Sequence, residues 1–295
     1  MGFIEALQSK ARECEVYLSG YFDQLRDDRT ALYDCIRYSI NAGGKRLRMI
    51  MLLECARLFS NGIDDCIPFA CAIEMIHTFS LIHDDLPALD DAEYRRGKLC
   101  NHKVYGECMA ILAGDGLQNY AFEVMIAASL KHKPEKSHSF LRAMNEIAYY
   151  SGINGMILGQ AIDTQPNQPV DYDLLKFIYL KKTASMFIGP MKAGAIIAGA
   201  DDIRISAISD FAYNLGMAFQ ITDDILDETG DFEKLGKTIG ADKNNDKTTI
   251  SSMLGVEKAY SMALEYISEA KRIISSFESC VFFVDLCDYI VNRKS

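Results

Sequence analysis

Only six prolines occur in 295 residues, and no Gly-, Ser- or Pro-rich stretch or shift of composition marks a linker. That argues against loosely tethered modules and favours one domain over 1–295, although length alone allows about two. No apolar run approaches the roughly 18 residues a membrane span needs. The start, Met1-Gly2-Phe3-Ile4-Glu5-Ala6, is acidic. It has neither the basic and apolar regions of a signal peptide nor the Ser/Thr at position six of a myristoylation motif. The nine cysteines include no CxxC pair, which reads as reduced core thiols in a cytoplasmic protein. Cys100, His102 and Cys108 lie close in sequence, at a spacing that fits no usual zinc site. Acidic residues outnumber basic ones, 41 to 31, for a net charge of −10. A nucleic-acid partner wants a basic face and is disfavoured. Small anionic substrates remain open if cations are concentrated locally. A Walker loop is absent, because no GxxxxGK[ST] occurs.

What is present is apolar, at 49% of residues, and helical in pattern. Apolar positions recur three and four apart over 4–25, 30–41, 46–59, 66–83, 104–131, 137–163, 172–199, 203–228 and 250–277. Alternating strand-like runs are nearly absent. The fold class is therefore all-α, a bundle too large for four helices. The stretches 172–199 and 203–228 are long enough to expect a break or bend, at Gly189-Pro190 in the first. Residues 229–248 are rich in Gly, Asp, Asn and Lys. A loop of that length inside a compact domain is usually functional. Lys234, Lys237, Lys243 and Lys247 make it a plausible lid over an anion.

Two acidic clusters interrupt apolar helical sequence: Asp84-Asp85-Leu86-Pro87-Ala88-Leu89-Asp90 and Asp223-Asp224-Ile225-Leu226-Asp227. Adjacent carboxylates repel unless a cation neutralises them. Two such clusters suggest a cavity with acids on opposite walls and divalent ions between. Asp223 and Asp227 are one turn apart on one helix face, and Asp224 points about a quarter-turn away. Asp84 and Asp90 would diverge on a straight helix. Pro87 predicts that the helix ends or kinks there, bringing Asp90 back toward Asp84. The repeated Ile-x-Asp-Asp (82–85 and 221–224) suggests two helices presenting acids alike. The plain alternatives are a solvated acidic helix face and a polar loop after a core helix. Carboxylates without cysteine suit Mg²⁺, which leaves its other positions to water and phosphate.

Basic residues for phosphate are available. Gly43-Gly44-Lys45-Arg46-Leu47-Arg48 reads as a glycine pair opening a helix, whose N–H groups bind phosphate and whose Lys45 and Arg48 share a face. A solvated basic first turn is the alternative. Tyr94-Arg95-Arg96-Gly97-Lys98 follows the first acidic cluster, and Arg favours bidentate phosphate contacts. Lys181-Lys182-Thr183 interrupts another apolar helix, and Gln220 lies one turn before Asp223. His77 sits two turns before Asp84, where a packed core histidine is the usual reading.

The ordered set GGKRLR (43–48), HTFSLIHDDLPALDD (77–91), RRGK (95–98), HKVYGE (102–107), LAGD (112–115), GQAID (159–163), KT (182–183), FQITDDILD (219–227), GKTIGADKNNDKTT (236–249) and YIVNRKS (289–295) resembles the trans-isoprenyl diphosphate synthases, specifically the short-chain farnesyl diphosphate synthase branch. The resemblance runs from Gly43 to Arg293. It implies an all-α isoprenoid synthase fold around a deep central cavity, usually a homodimer. The implied reaction joins an allylic diphosphate to isopentenyl diphosphate with three Mg²⁺. By the same resemblance Asp84, Asp90 and Asp223 are the main metal ligands, with Asp85, Asp224 and Asp227 completing the clusters. Arg95, Lys182, Thr183, Gln220 and Lys237 match positions that hold the allylic diphosphate or stabilise its cation. Lys45, Arg48, His77 and Arg96 match the isopentenyl diphosphate site, and Gln160 and Asp163 line the cavity. Met49 departs from the family, which usually has proline there.

Product length is expected to depend on Phe79, five residues before Asp84 with Ser80 beside it. A large aromatic there resembles a floor that stops growth at fifteen carbons, which implies (2E,6E)-farnesyl diphosphate. Smaller residues go with twenty or more, so a geranylgeranyl diphosphate synthase is the alternative. Ordinary core filling is the plain reading of Phe79. A class I terpene cyclase would carry Asn or Asp, Ser or Thr, and Glu in place of the second cluster and would not need Lys45 and Arg48. A phosphohydrolase would use the His83-Asp84 doublet with His77 but leave the other acids unexplained. A non-catalytic partner subunit tends to lose acidic residues that are intact here.

Overall fold

The computed structural model describes residues 2–23, 25–165, 169–229 and 248–293. Among the described residues the chain is a bundle of helices with one hairpin of two-residue strands. In order it runs α1 (Phe3–Phe22), α2 (Leu32–Ile40), α3 (Leu47–Arg57), a 3₁₀ turn (Asp64–Cys66), α4 (Ile67–Asp84), β1 (Tyr94–Arg95), β2 (Lys98–Leu99), α5 (Asn101–Tyr105), α6 (Glu107–Leu130), α7 (Pro134–Ser151), α8 (Met156–Asp163), α9 (Tyr172–Ile178), a π-helical segment (Tyr179–Ala184), α10 (Ser185–Ile197), α11 (Asp202–Thr229), α12 (Ile250–Leu254), α13 (Val256–Ile274) and α14 (Val281–Asn292).

The helices sort by sequence pattern. In α3, α4 and α10 apolar residues run round the whole circumference, and these helices are buried on nearly all sides. They form the centre of the core. Helix α13 has one apolar stripe (Ala259, Ala263, Ile267, Ala270, Ile274) and lies at the periphery with that stripe against α11. Helix α4 packs mainly on α6, and α10 packs on α3, α7 and α11. The stretch Asp64–Asp84 is long and apolar enough on average to cross a membrane, contrary to the impression given by uninterrupted runs. Most of it is packed inside the chain, so its apolarity is that of a core helix.

Four expectations are corrected, and one helix is added. The stretch 250–277 reads as one helix, but the chain breaks at Gly255 (φ 84°) into α12 and α13. The pattern over 137–163 predicts one helix, but the chain ends α7 at Gly152 and restarts at Met156. A Cβ on Gly155 would lie 1.9 Å from the Tyr150 carbonyl oxygen, so this sharp turn requires glycine. In 172–199 the irregularity falls at Tyr179–Ala184, not at Gly189-Pro190, and Pro190 sits inside α10. The π segment lies where two neighbours come close: a Cβ on Gly159 of α8 would meet the Lys182 nitrogen at 2.2 Å, and one on Gly216 of α11 the Ala184 Cα at 2.6 Å. Helix α11 is continuous, having no proline to interrupt it. Helix α14 lies beyond the helical stretches read from the sequence, although Phe283, Leu286, Cys287, Ile290 and Val291 keep three-and-four spacing and form its buried face.

Candidate active site

The first acidic cluster sits where α4 ends. The helix stops at Asp84, Asp85 caps it, and Pro87 lies in the turn beyond. That turn folds back: the Asp90 N–H donates to the Asp84 carbonyl at 2.9 Å, and the Ala92 N–H to that of Asp85 at 3.2 Å. Asp84 and Asp90 are thus brought together and half-buried. Asp85 points the other way. It is buried, and both its oxygens accept hydrogen bonds from Arg95 Nε at 2.8 Å, with Arg95 Nη2 at 2.6 Å. Burial draws the Arg95 pKa down, but the bonds and charge of Asp85 outweigh it and the net shift is upward.

Arg95 and Arg96 come from the hairpin, in which Tyr94 pairs with Leu99 and Arg95 with Lys98. Its turn residues Arg96 (φ 55°) and Gly97 (φ 74°) both have positive φ, as a type I′ turn requires. A non-glycine residue there costs on the order of 1 kcal/mol. Arg96 recovers a contact, since its guanidinium donates to the Gly43 carbonyl and lies flat against Gly44, where a Cβ would be 2.7 Å from Cζ.

This brings the hairpin onto the 43–48 segment. Helix α3 begins only at Leu47, and Arg46 (φ 49°) caps it in left-handed conformation. Lys45 therefore lies outside the helix, and the shared helical face expected for Lys45 and Arg48 does not form. Arg46, absent from the expected site, is buried with Glu74 of α4 at 3.1 Å. A lone Glu in an otherwise apolar helix was the sequence signal for that pair. Arg48 donates to His77 Nε2 at 3.2 Å and lies 5.7 Å from the Phe187 ring. Burial pulls Arg48 down to about 10; Glu74 and Asp223 oppose this and Arg96 adds to it. His77 is held well below its ordinary pKa, first by burial and then by Arg48, Arg96, Arg95 and Arg46. These four guanidinium groups crowd around a neutral histidine, with Glu74 and Asp85 as buried carboxylates among them. Such a site is electrostatically suited to a polyanion.

Helix α8 joins this region to the π segment. Gln160 Nε2 donates to Asp84 Oδ1 at 2.6 Å, and Asp163 pairs with Lys182 at 2.6 Å. Lys182 and Thr183 ride on the π segment, a distortion often found at functional sites. Thr183 donates to Gln220 Oε1 at 2.5 Å, and Gln220 Nε2 donates to Asp224 Oδ1 at 2.9 Å. Asp224 also accepts from the Tyr179 hydroxyl. Asp163, Tyr179, Lys182, Thr183, Gln220 and Asp224 line one pocket of about 70 Å³. Asp224 and Asp227 are buried and Asp223 is half-exposed.

Asp223 has a partner that its own helix did not reveal. Arg293, beyond α14, lies 3.3 Å from its carboxylate and donates to the Phe219 carbonyl at 3.0 Å, with its guanidinium 4.0 Å from the Phe219 ring. In the same helix Tyr289 faces Lys45 at 5.7 Å. Helix α14 and the arginine that follows it thus touch both the 43–48 segment and the second acidic cluster. Lys237 and the other lysines of the expected lid lie outside the described residues. Among the described residues, no three His, Cys, Asp or Glu side chains converge closely enough to hold a metal by themselves.

Phe79 is 6% exposed and packs edge-on against His83 at 5.7 Å. His83 Nε2 is 3.1 Å from the Ile111 carbonyl of α6, and the absent side chain of Gly114 leaves room for its ring. The imidazole is turned toward α6, which disfavours a His83-Asp84 metal doublet.

Residues 29–280 match the family model described as polyprenyl synthetase. The chain belongs to the polyprenyl synthetase family. It is a trans-isoprenyl diphosphate synthase. Among curated members it is 41% identical to farnesyl diphosphate synthase of Bacillus subtilis, covering 97% of both chains. It is 42% identical to geranylgeranyl diphosphate synthase of Cyanophora paradoxa, over 92% of this chain and 90% of that one. The crystal structure of a geranyltransferase from Helicobacter pylori, complexed with magnesium and isoprenyl diphosphate, superposes with a TM-score of 0.85 at 28% identity, covering 99% of this chain and 97% of that chain. Synthases with two different product names are thus about equally similar, and similarity alone leaves the product length unassigned.

Proposed function

We propose that the chain, as one domain and as a homodimer in the cytoplasm, condenses isopentenyl diphosphate with dimethylallyl and then geranyl diphosphate to give (2E,6E)-farnesyl diphosphate. One observation carries this reading. Helix α8 ties Asp84 to the Lys182–Thr183 segment, while Arg46, Arg48 and Arg96 gather around His77 beside it. A synthase needs two diphosphate sites, and a cyclase needs one. The nine cysteines are all free thiols, as a reducing compartment permits. Exposed Ile111, Leu112, Ile126 and Leu130 on α6 support a second copy docking there.

The donor set fits Mg²⁺. Asp84 and Asp90 on one wall, and Asp223 and Asp227 on the other, are hard oxygen donors. Two carboxylates per wall suit an ion that completes its shell with water and substrate phosphate. When bound, Mg²⁺ would neutralise charge on the departing allylic diphosphate. Arg95 and Lys182 hold that diphosphate, with Lys237 added from the sequence. The Thr183 hydroxyl and Gln220 amide turn dipoles toward the allylic cation. Lys45, Arg48 and Arg96 hold isopentenyl diphosphate, and neutral His77 accepts from Arg48 and keeps it aimed. The isopentenyl double bond attacks the cation, and the departed diphosphate takes the proton. Arg95 orients Asp85, and Asp85 in turn fixes the hairpin.

The test is incubation of purified protein with Mg²⁺, isopentenyl diphosphate and each allylic primer, followed by chromatography of chain lengths. Fifteen-carbon product is expected, and Phe79→Ala is expected to lengthen it. Twenty-carbon product from the wild type would assign geranylgeranyl diphosphate synthesis instead. Diphosphate release that ignores isopentenyl diphosphate would indicate a cyclase.

A further inference from the structure

Tyr179 carried no signal in the sequence and has no part in the chemistry above, yet it sits at a junction. It opens the π segment and is 5% exposed. Its hydroxyl donates to Asp224 Oδ2 and accepts the Ile250 N–H at 3.1 Å. Ile250 is the first residue of α12, whose leading N–H groups have no partner within the helix. The other oxygen of Asp224 accepts from Gln220, which accepts from Thr183. One chain of hydrogen bonds therefore runs from the Ile250 N–H through the Tyr179 hydroxyl to the Asp224 carboxylate. From the far side it is met by the Gln220 amide and the Thr183 hydroxyl.

This chain removes an ambiguity. A glutamine amide has an oxygen end and a nitrogen end of similar size, and its neighbours decide which faces which. A carboxylate accepts only, so Asp224 takes the nitrogen end and leaves the oxygen end for Thr183. Thr183 must then point its proton at Gln220, which keeps its lone pairs for the pocket. Tyr179 fixes Asp224 in turn, since the Ile250 N–H occupies its oxygen and directs its own proton to the carboxylate. Linked donors of this kind polarise one another.

We propose that Tyr179 is a positioning residue for prenyl transfer. It holds Asp224, and through Asp224 sets the Gln220 and Thr183 dipoles in the orientation that stabilises positive charge developing on the allylic carbon. The inference rests on the function proposed above. Preorganised dipoles act on the transition state more than on bound substrate, so the effect belongs to kcat.

The experiment is steady-state diphosphate release by the full chain with Mg²⁺, isopentenyl diphosphate and geranyl diphosphate. Tyr179→Phe, which deletes only the hydroxyl, is expected to lower kcat about tenfold and leave both KM values within about twofold. Asp224→Asn keeps the shape and removes the charge, and is expected to lower kcat with KM similarly preserved. It keeps the proposal testable if the Phe variant is too unstable to assay. In the double variant, Tyr179→Phe is expected to cost less than about twofold beyond Asp224→Asn, because the two act through one chain. A kcat within twofold of wild type for either single variant, a loss confined to KM, or an undiminished Tyr179→Phe effect in the Asp224→Asn background overturns the proposal. Wild-type protein inert with every primer overturns the proposed function and this role with it. An active wild type with an indifferent Tyr179→Phe overturns the positioning role alone.

Discussion

The two acidic walls begin from the same four-residue pattern and are built differently. In the first, the helix ends at the acids and a turn through Pro87 returns Asp90 to Asp84. In the second, α11 runs on through the acids to Thr229 without interruption. Yet each doublet divides in the same way. The first aspartate, Asp84 or Asp223, is half-exposed, while the second, Asp85 or Asp224, is buried and bonded inside the protein. The partners differ in kind: Asp85 is matched to a guanidinium, and Asp224 to a phenol and an amide. The two acids of a doublet therefore stand in different surroundings. On the function proposed above, one acid is offered to the site, and its neighbour anchors the scaffold that aims it.

The largest expected effect breaks the outward half of this comparison. Asp84→Ala and Asp223→Ala should each lower turnover by about 10²–10³ or more, the scale of removing a preorganised electrostatic contact. Diphosphate release would measure it, and near-normal rates would place the chemistry elsewhere. Next is Gly159→Ala, whose Cβ would meet the Lys182 backbone nitrogen at 2.2 Å and push α8 from the π segment. Misplacement of that order costs about 10² in rate. A variant with unchanged kcat would show that α8 is no strut. Smaller still is the contrast between the inward acids. Asp85→Asn leaves a largely buried Arg95 without its counter-charge and should cost about 2–3 kcal/mol of stability, discounted for the exposure of Arg95. Asp224→Asn loses bonds to neutral donors and should cost about 1 kcal/mol. Denaturant unfolding would separate them, and a reversed order would refute the distinction.

The most gradual effect, spread over the acid range, concerns the cation cluster beside the first wall. The His77 pKa in the folded protein lies well below its ordinary 6.5. Below pH 6.5 the unfolded chain takes up a proton that the folded chain refuses. Stability should therefore fall as pH drops through that region, by up to about 1.4 kcal/mol per unit, and be unaffected by His77 above it. His77→Gln should flatten that part of the profile. An unchanged acid limb would mean that other groups set it.

Much of this arrangement was legible in the sequence because it repeats locally. Three-and-four spacing located α1 to α4 and α6, and the motif order located Asp84, Arg95, Lys182 and Asp223. The end of α4 followed from Pro87. What escaped was tertiary. Nothing near Asp223 announces Arg293, about seventy residues on. Tyr179 reads as one more aromatic in an apolar helix until its hydroxyl meets Asp224 and Ile250. The π segment has no composition of its own, and the backbone that runs close against it at Gly159 and Gly216 comes from distant parts of the sequence. Lys45 was misread because a glycine pair looks like a helix start, whereas Arg46 takes the left-handed cap and delays α3 to Leu47.

The division of labour within each doublet is open to direct measurement by titrating Mn²⁺ into the full chain with inorganic diphosphate and following free metal by electron paramagnetic resonance. Asp84→Ala and Asp223→Ala should each bind less metal than the wild type, while Asp85→Asn and Asp224→Asn keep most of it. Full binding by the first pair, or its loss in the second, would contradict the assignment of outward ligand and inward anchor.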